Sequence, residues 1–164
     1  MKKQKNKHVK TNAMRILDKS GIEYGYDEYE YDESDLSGDH AAEYIGISKD
    51  MMFKTLVTRS NDNQLFVFVV PVSAELDLKK AAAAADVKNI EMIHVKEIFE
   101  LTGYIRGGCS PVGMKKQYPT FIDETAVLFD TIYMSAGERG KQIIVNAEAL
   151  SDLIGAKFAD ITKA

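Results

Sequence analysis

The stretch Leu65–Val72, LFVFVVPV, is the longest apolar run in the chain. Polar residues do not alternate through it, so it reads as a strand buried on both faces rather than one with a wet side. It is far too short for the roughly 20 residues that cross a bilayer. Such a strand needs cover above and below. A chain of 164 residues has material for one such domain and not two. Its apolar share of 45% and aromatic share of 9% are ordinary for a globular fold.

The remaining elements are punctuated by caps and glycines. TNAMRILDKSGI predicts a first helix, with Thr11 as cap, Met14, Ile16 and Leu17 as its apolar side and Gly21 as its stop. YGYDEYEYDESD, 24–35, holds six acids and four tyrosines and reads as a strand running into an acidic loop. SGDHAAEYIG predicts a short helix with Asp39 as candidate cap and Gly46 as stop. FKTLVTR predicts a strand, SNDN a turn, and LKKAAAAAD a helix capped by Asp77. IEMIH is a strand, and VKEIFELTG a short helix ending near Gly103. TFID, TIYMS and KQIIVN read as three strands joined by short turns. Asn146 caps AEALSDLI, Gly155 ends it, and AKFADI closes as a strand. This irregular interleaving predicts an α+β domain with a mixed sheet and helices around it.

Composition excludes several chemistries. The net charge is -4, so any nucleic-acid contact must come from a local basic patch. One cysteine rules out an internal disulfide and a cysteine-only metal site, and the expected compartment is the cytoplasm. His8, His40 and His94 share no ligand spacing, so no metal is expected. The acids of 24–35 lack calcium-loop spacing. No phosphate-loop or dinucleotide fingerprint is present, and no cofactor or membrane partner is implied. MKKQKNKHVK, residues 1–10, carries five lysines and no acid and is set apart as a basic flexible arm preceding a domain over 11–164.

Three features carry chemistry. TGYIRGGCSPVGMKK, 102–116, holds four glycines, the single cysteine and three cations, and no acid occurs between Glu100 and Asp123. It is either a surface loop or a backbone cradle whose N–H groups bind an anion or a developing oxyanion. Pro111 restrains Ser110–Pro111. Cys109 has no nucleophile elbow around it. Lys54, on a strand face with Leu56, either snorkels to solvent or points into a pocket. MSAGERG, 134–140, is a hairpin turn or a second wall of that pocket, with Ser135 as a donor.

Taken in order, FKTLV (53–57), VVPVSAELDLKKAA (69–82), TGYIRGGCSPVGMKK (102–116), PTFID (119–123), TIYMSAGERG (131–140) and AKFADI (156–161) resemble the YbaK/EbsC family of free-standing aminoacyl-tRNA deacylases. These are relatives of the editing domain of prolyl-tRNA synthetase. The resemblance implies a compact domain around a mixed, barrel-like β-sheet. It implies hydrolysis of a wrongly charged tRNA, most often Cys-tRNA(Pro), in a ternary complex with prolyl-tRNA synthetase. Lys54 sits at the family's essential lysine, and Tyr29 lies near a family tyrosine. Gly107 and Gly108 match the glycine loop, and Ser135 the serine before the last turn. One departure stands out: relatives of the cysteinyl type often carry an acid two residues after the Arg-Gly of that turn, where this chain has Gln142.

The candidate site therefore comprises Lys54 as catalytic residue, with Tyr29, Phe53, Thr55, Gly107, Gly108, Ser110, Pro111, Ser135, Gly137 and Gln142 binding substrate. Arg106, Lys115 and Lys116 are the expected tRNA contacts. Two alternatives stay open: a non-catalytic module holding aminoacyl-tRNA or a small anion, motivated by the missing general base, and an Ala-tRNA(Pro) deacylase of the same superfamily.

Overall fold

The computed structural model describes residues 9–164, so the basic arm expected over 1–10 lies outside the described residues except for Val9 and Lys10. In chain order the elements are α1 (Asn12–Lys19), β1 (Tyr24–Glu28), α2 (Gly38–Ile45), β2 (Phe53–Ser60), β3 (Leu65–Pro71), α3 (Leu78–Ala85) and β4 (Ile90–Met92). They continue with α4 (Ile98–Thr102), β5 (Thr120–Asp123), β6 (Ile132–Ser135), β7 (Lys141–Val145), α5 (Ala147–Ile154) and β8 (Lys157–Ala159).

The strands form two sheets, a three-stranded β1-β7-β6 and a five-stranded β4-β2-β3-β5-β8. β3 is central to the larger sheet, antiparallel to β2 and parallel to β5. It is buried on both faces, as its composition demands. Val67 and Val69 point into a core shared with Ile132, Met134, Ile143 and Val145 of the smaller sheet and with Met14 and Leu17 of α1. Phe66, Phe68 and Val70 point the other way, onto Leu76, Ala81 and Ala82 around α3. The two sheets meet at one seam, where Met52 bridges Tyr133 and the Tyr133 N–H donates to the Met51 carbonyl at 2.9 Å.

The caps follow residue chemistry. Thr11 accepts from the Met14 N–H, Asp77 from Lys79 and Lys80, and Asn146 from Ala149. α2 corrects one reading: Ser37, not Asp39, is its cap, accepting from the His40 N–H, and Asp39 lies in the first turn. β4 is only three residues long, so IEMIH is a strand in its first half alone. The three strands read over 120–145 are present, but β5 belongs to the larger sheet and β6–β7 to the smaller. A 3-10 turn, Glu124–Leu128, carries the chain between them. Buried Asp123 holds that corner, accepting from Thr125 and from the Ile161 N–H.

Phe68 has no exposed surface and stacks on Phe121 with ring centroids 5.5 Å apart. Phe68→Ala is expected to lower unfolding free energy by about 3–5 kcal/mol, read from the urea midpoint with the m-value unchanged.

Candidate functional site

Between the Met52–Tyr133 bridge and the pairing of Thr58–Ser60 with β4, β2 has a strand on one side only, β3. A cavity of about 340 Å³ lies against this half-paired stretch, and Met52, Phe53, Lys54, Thr55 and Leu56 all line it. Five consecutive lining residues mean that the strand presents its edge, with both faces contributing at the rim. That volume suits a small ligand moiety.

The other walls come from four places. Leu36, Ser37, Gly38 and Ala41 bring the start of α2, and Val72 follows β3. Arg106, Gly107 and Cys109 come from the glycine-rich segment, and Ser135 and Gln142 from the open end of the β6–β7 pair, where they are register partners. Tyr29 closes one side. Its N–H donates to the Gly140 carbonyl at 2.9 Å, and its ring lies 6.2 Å from His40 and 6.5 Å from Tyr44 of α2.

Among the described residues no aspartate or glutamate lines the cavity, while Lys54 and Arg106 do. Among the described residues the Lys54 ammonium forms no ion pair or hydrogen bond, so its three donors stay available. Two polar atoms in the wall, Thr55 Oγ1 and Gln142 Oε1, are buried without a partner among the described residues. Gln142 is 6% exposed. Burial pushes the Cys109 thiol up to about 11 and raises the Tyr29 phenol. Cys109 is therefore an uncharged thiol at neutral pH and a poor nucleophile.

The glycine-rich segment and the 135–140 turn are clamped together. The Gly108 Cα lies against the Glu138–Arg139 backbone, where an added Cβ would stand 3.1 Å from Arg139 N. Arg139 Nε donates to the Arg106 carbonyl at 2.8 Å. Gly137, at φ +104, packs on the Tyr104 ring, whose hydroxyl donates to the Val112 carbonyl. The two loop glycines differ in function. The Gly108 N–H donates to the Ile105 carbonyl at 3.0 Å. The Gly107 N–H donates to no group among the described residues, and Gly107 lines the cavity.

The structure thus brings together Lys54, Tyr29, Phe53, Thr55, Gly107, Ser135, Gln142 and Arg106. Gly108, Ser110, Pro111 and Gly137 lie outside the wall. Ser110 and Pro111 are buried, and Ser110 Oγ accepts from the Val112 N–H. Lys115 and Lys116 are exposed and also outside it. Lys115 Nζ donates to the Glu100 carbonyl and sits 5.4 Å above the Phe99 ring. No local pattern in the chain pointed to the Leu36–Ala41 wall. The close contact of Gly38 with Val72 that seats it joins residues far apart in the chain. A broader depression of about 870 Å³ between α1, β1 and β7 holds the acids Asp18 and Glu23, but Asp18 is already paired with Lys10 at 2.5 Å.

Residues 37–153 match the model of the aminoacyl-tRNA editing domain. The chain belongs to the aminoacyl-tRNA editing domain family. It is 47% identical, over 97% of both chains, to an Enterococcus faecalis protein named "Putative Cys-tRNA(Pro)/Cys-tRNA(Cys) deacylase EbsC". It is 31% identical over 62% of its length to a proline–tRNA ligase of Shouchella clausii, matching 18% of that protein. In fold it resembles the structure titled "Crystal structure of a putative trans-editing enzyme for prolyl tRNA synthetase", with a TM-score of 0.78 and 23% identity over 95% of this chain and all of the other. The cavity lies within the editing-domain match, since the matched span contains every lining residue except Tyr29 and Leu36. No helix among the described residues is long and apolar enough to cross a membrane.

Because its pKa is raised, Cys109 becomes a thiolate only as pH approaches about 11. Iodoacetamide at pH 8 is expected to alkylate it at least about a hundredfold more slowly than free cysteine, measured by intact mass over time. Gly108→Ala is expected to push the 135–140 turn off the loop, seen as amide shifts at Glu138 and Arg139 in NMR spectra.

Proposed function

We propose that this editing-domain protein is a trans-editing hydrolase that removes cysteine from mischarged Cys-tRNA(Pro) in the cytoplasm. The observation that carries the reading is the convergence of an unpaired Lys54 and an unused Gly107 N–H in one acid-free cavity. The near full-length relative named as a Cys-tRNA(Pro)/Cys-tRNA(Cys) deacylase supports the substrate class.

The chemistry follows from the parts. Attack on an aminoacyl ester develops negative charge on the carbonyl oxygen. The Gly107 N–H supplies a fixed donor for it, the kind of contact whose loss typically costs about 10²–10³ in rate. Gly108 supports that donor by packing rather than by donating. Lys54, as a point cation, anchors the phosphate or ribose of the terminal adenosine, or polarises the ester. Tyr29, Phe53, Thr55, Ser135 and Gln142 shape the aminoacyl pocket, while Ser110, Pro111 and Gly137 hold its loops. Among the described residues the wall offers no carboxylate or histidine as general base, and its cysteine is protonated. The nucleophile is therefore the cysteinyl thiol of the substrate itself, or a positioned water.

Editing has a physical motive, since side chains differing by about one methylene separate by only ~1–3 kcal/mol in a synthetase pocket. With a net charge of -4 the protein holds tRNA weakly alone. Arg106, Lys115 and Lys116 give a local basic track, and prolyl-tRNA synthetase in a ternary complex supplies the remaining affinity. The match to part of a proline–tRNA ligase fits that partnership.

Purified protein is expected to hydrolyse Cys-tRNA(Pro) and spare Pro-tRNA(Pro), with Lys54→Ala lowering kcat/KM at least about a hundredfold. Intact esters of cysteine and alanine alike, with and without synthetase, would sink the reading. Loss of the alanyl ester alone would assign the substrate as Ala-tRNA(Pro). The KM for tRNA is expected to rise steeply between 50 and 200 mM salt, as phosphate contacts require, with that slope reduced in a Lys115→Ala, Lys116→Ala double variant.

A further inference from the structure

Two orphaned polar atoms in one wall need an explanation. Thr55 and Gln142 line the same cavity, and their Oγ1 and Oε1 atoms are buried with no partner among the described residues. A buried polar group left unsatisfied costs about 1–3 kcal/mol, so such groups mark where a ligand or an ordered water completes the set. A hydroxyl and a side-chain carbonyl together fit a ligand atom that both accepts and donates. Such an atom would accept from the Thr55 hydroxyl and donate to Gln142 Oε1.

The surrounding charge selects among such atoms. Lys54 faces the cavity from β2, and Arg106 and the Cys109 thiol from the glycine-rich segment. The Tyr29 phenol faces it from the segment after β1. Burial keeps both the thiol and the phenol uncharged near neutral pH. Asp27 is the register partner of Gln142 in β1, but it is not part of the cavity wall, and its Oδ1 accepts from the Glu28 N–H. An ammonium group would use the Thr55 hydroxyl only as an acceptor and leave its O–H without a partner. It would face two cations with no anion in the wall.

We infer that Thr55 and Gln142 are the recognition pair for the α-amino group of the aminoacyl substrate and take it as the uncharged amine. The inference rests on the deacylase reading only for the identity of the carrier, an aminoacyl-adenosine end. Apparent affinity then scales with the free-base fraction of that amine. For an α-amino group of ordinary pKa, about 7.7–8.0, the fraction rises roughly thirty- to fiftyfold between pH 6 and pH 8.

The test uses two non-hydrolysable probes, 3′-deoxy-3′-(L-alanylamino)adenosine and 3′-deoxy-3′-(propanoylamino)adenosine, which differ only in the α-amino group. Their dissociation constants are measured by titration calorimetry at pH 6 and pH 8. The alanyl probe is expected to bind roughly thirtyfold tighter at pH 8 than at pH 6, and the propanoyl probe equally at both. Thr55→Val is expected to weaken the alanyl probe about tenfold at pH 8 and leave the propanoyl probe unchanged. Gln142→Glu is expected to remove or invert the pH dependence, because a carboxylate prefers the ammonium. Equal affinity for the two probes in the unmutated protein, tighter alanyl binding at pH 6, or no saturable binding of either would overturn the inference. So would an equal loss of both probes in Thr55→Val, which would place a ribose hydroxyl on the pair instead. Hydrolysis of Cys-tRNA(Pro) by the same preparation is scored separately. Probe binding as stated without hydrolysis keeps the amine site and sinks the deacylase reading, and hydrolysis without the pH-dependent preference does the reverse.

Discussion

The fold depends on burying β3 from both sides. Its odd residues Val67 and Val69 close the core between the two sheets, and its even residues Phe66, Phe68 and Val70 close the layer under α3. Because side chains alternate along a strand, one seven-residue segment ties three layers together. A shift by one residue in its pairing would swap the two sets and leave valines under α3 and phenylalanines in the inter-sheet core. The register with β2 is thereby fixed, and with it the positions of Lys54 opposite Val70 and Thr55 opposite Val69.

The cavity is a consequence of incomplete pairing. β2 bridges the smaller sheet only at Met52 and meets β4 only from Thr58 onward. The interval between is an edge inside the molecule. Edges of this kind carry unpaired backbone groups and are elsewhere covered or blunted; here the start of α2 and two loops roof it. Those loops hold one another through close backbone contact at Gly108, the Arg139–Arg106 hydrogen bond and the Tyr104 ring under Gly137. A pocket built this way keeps its polar groups at fixed positions. That is what electrostatic stabilisation of a developing charge requires.

Charge is divided between the pocket and its surroundings. The molecule is net negative and its 27–35 segment is acid-rich, yet among the described residues the cavity wall has two cations and no acid. That distribution favours an anionic group in the interior, and the net negative exterior disfavours nonspecific polyanion binding. The single cysteine is buried enough to stay protonated, so it does not give the pocket a thiolate nucleophile.

How much of this was legible in the sequence depends on the range of the interaction. Caps at Thr11, Asp77 and Asn146, stops at Gly46, Gly103 and Gly155, and the double burial of Leu65–Pro71 were all written locally. Each depends on a residue's own backbone preference or on period-two patterning. The ordered motifs around Lys54, Gly107 and Ser135 were enough to indicate the family. Three matters were decided only by tertiary structure. α2 supplies a wall because Gly38 seats it on Val72. Gly107 and Gly108, adjacent and alike in the sequence, part company because one N–H is spent on Ile105 and the other is not. Gln142 and Thr55 become an unsatisfied pair because separate strands, one in each sheet, bury them in one cavity. In each case the deciding contact joins residues that no local preference connects, so only the folded chain could bring them together.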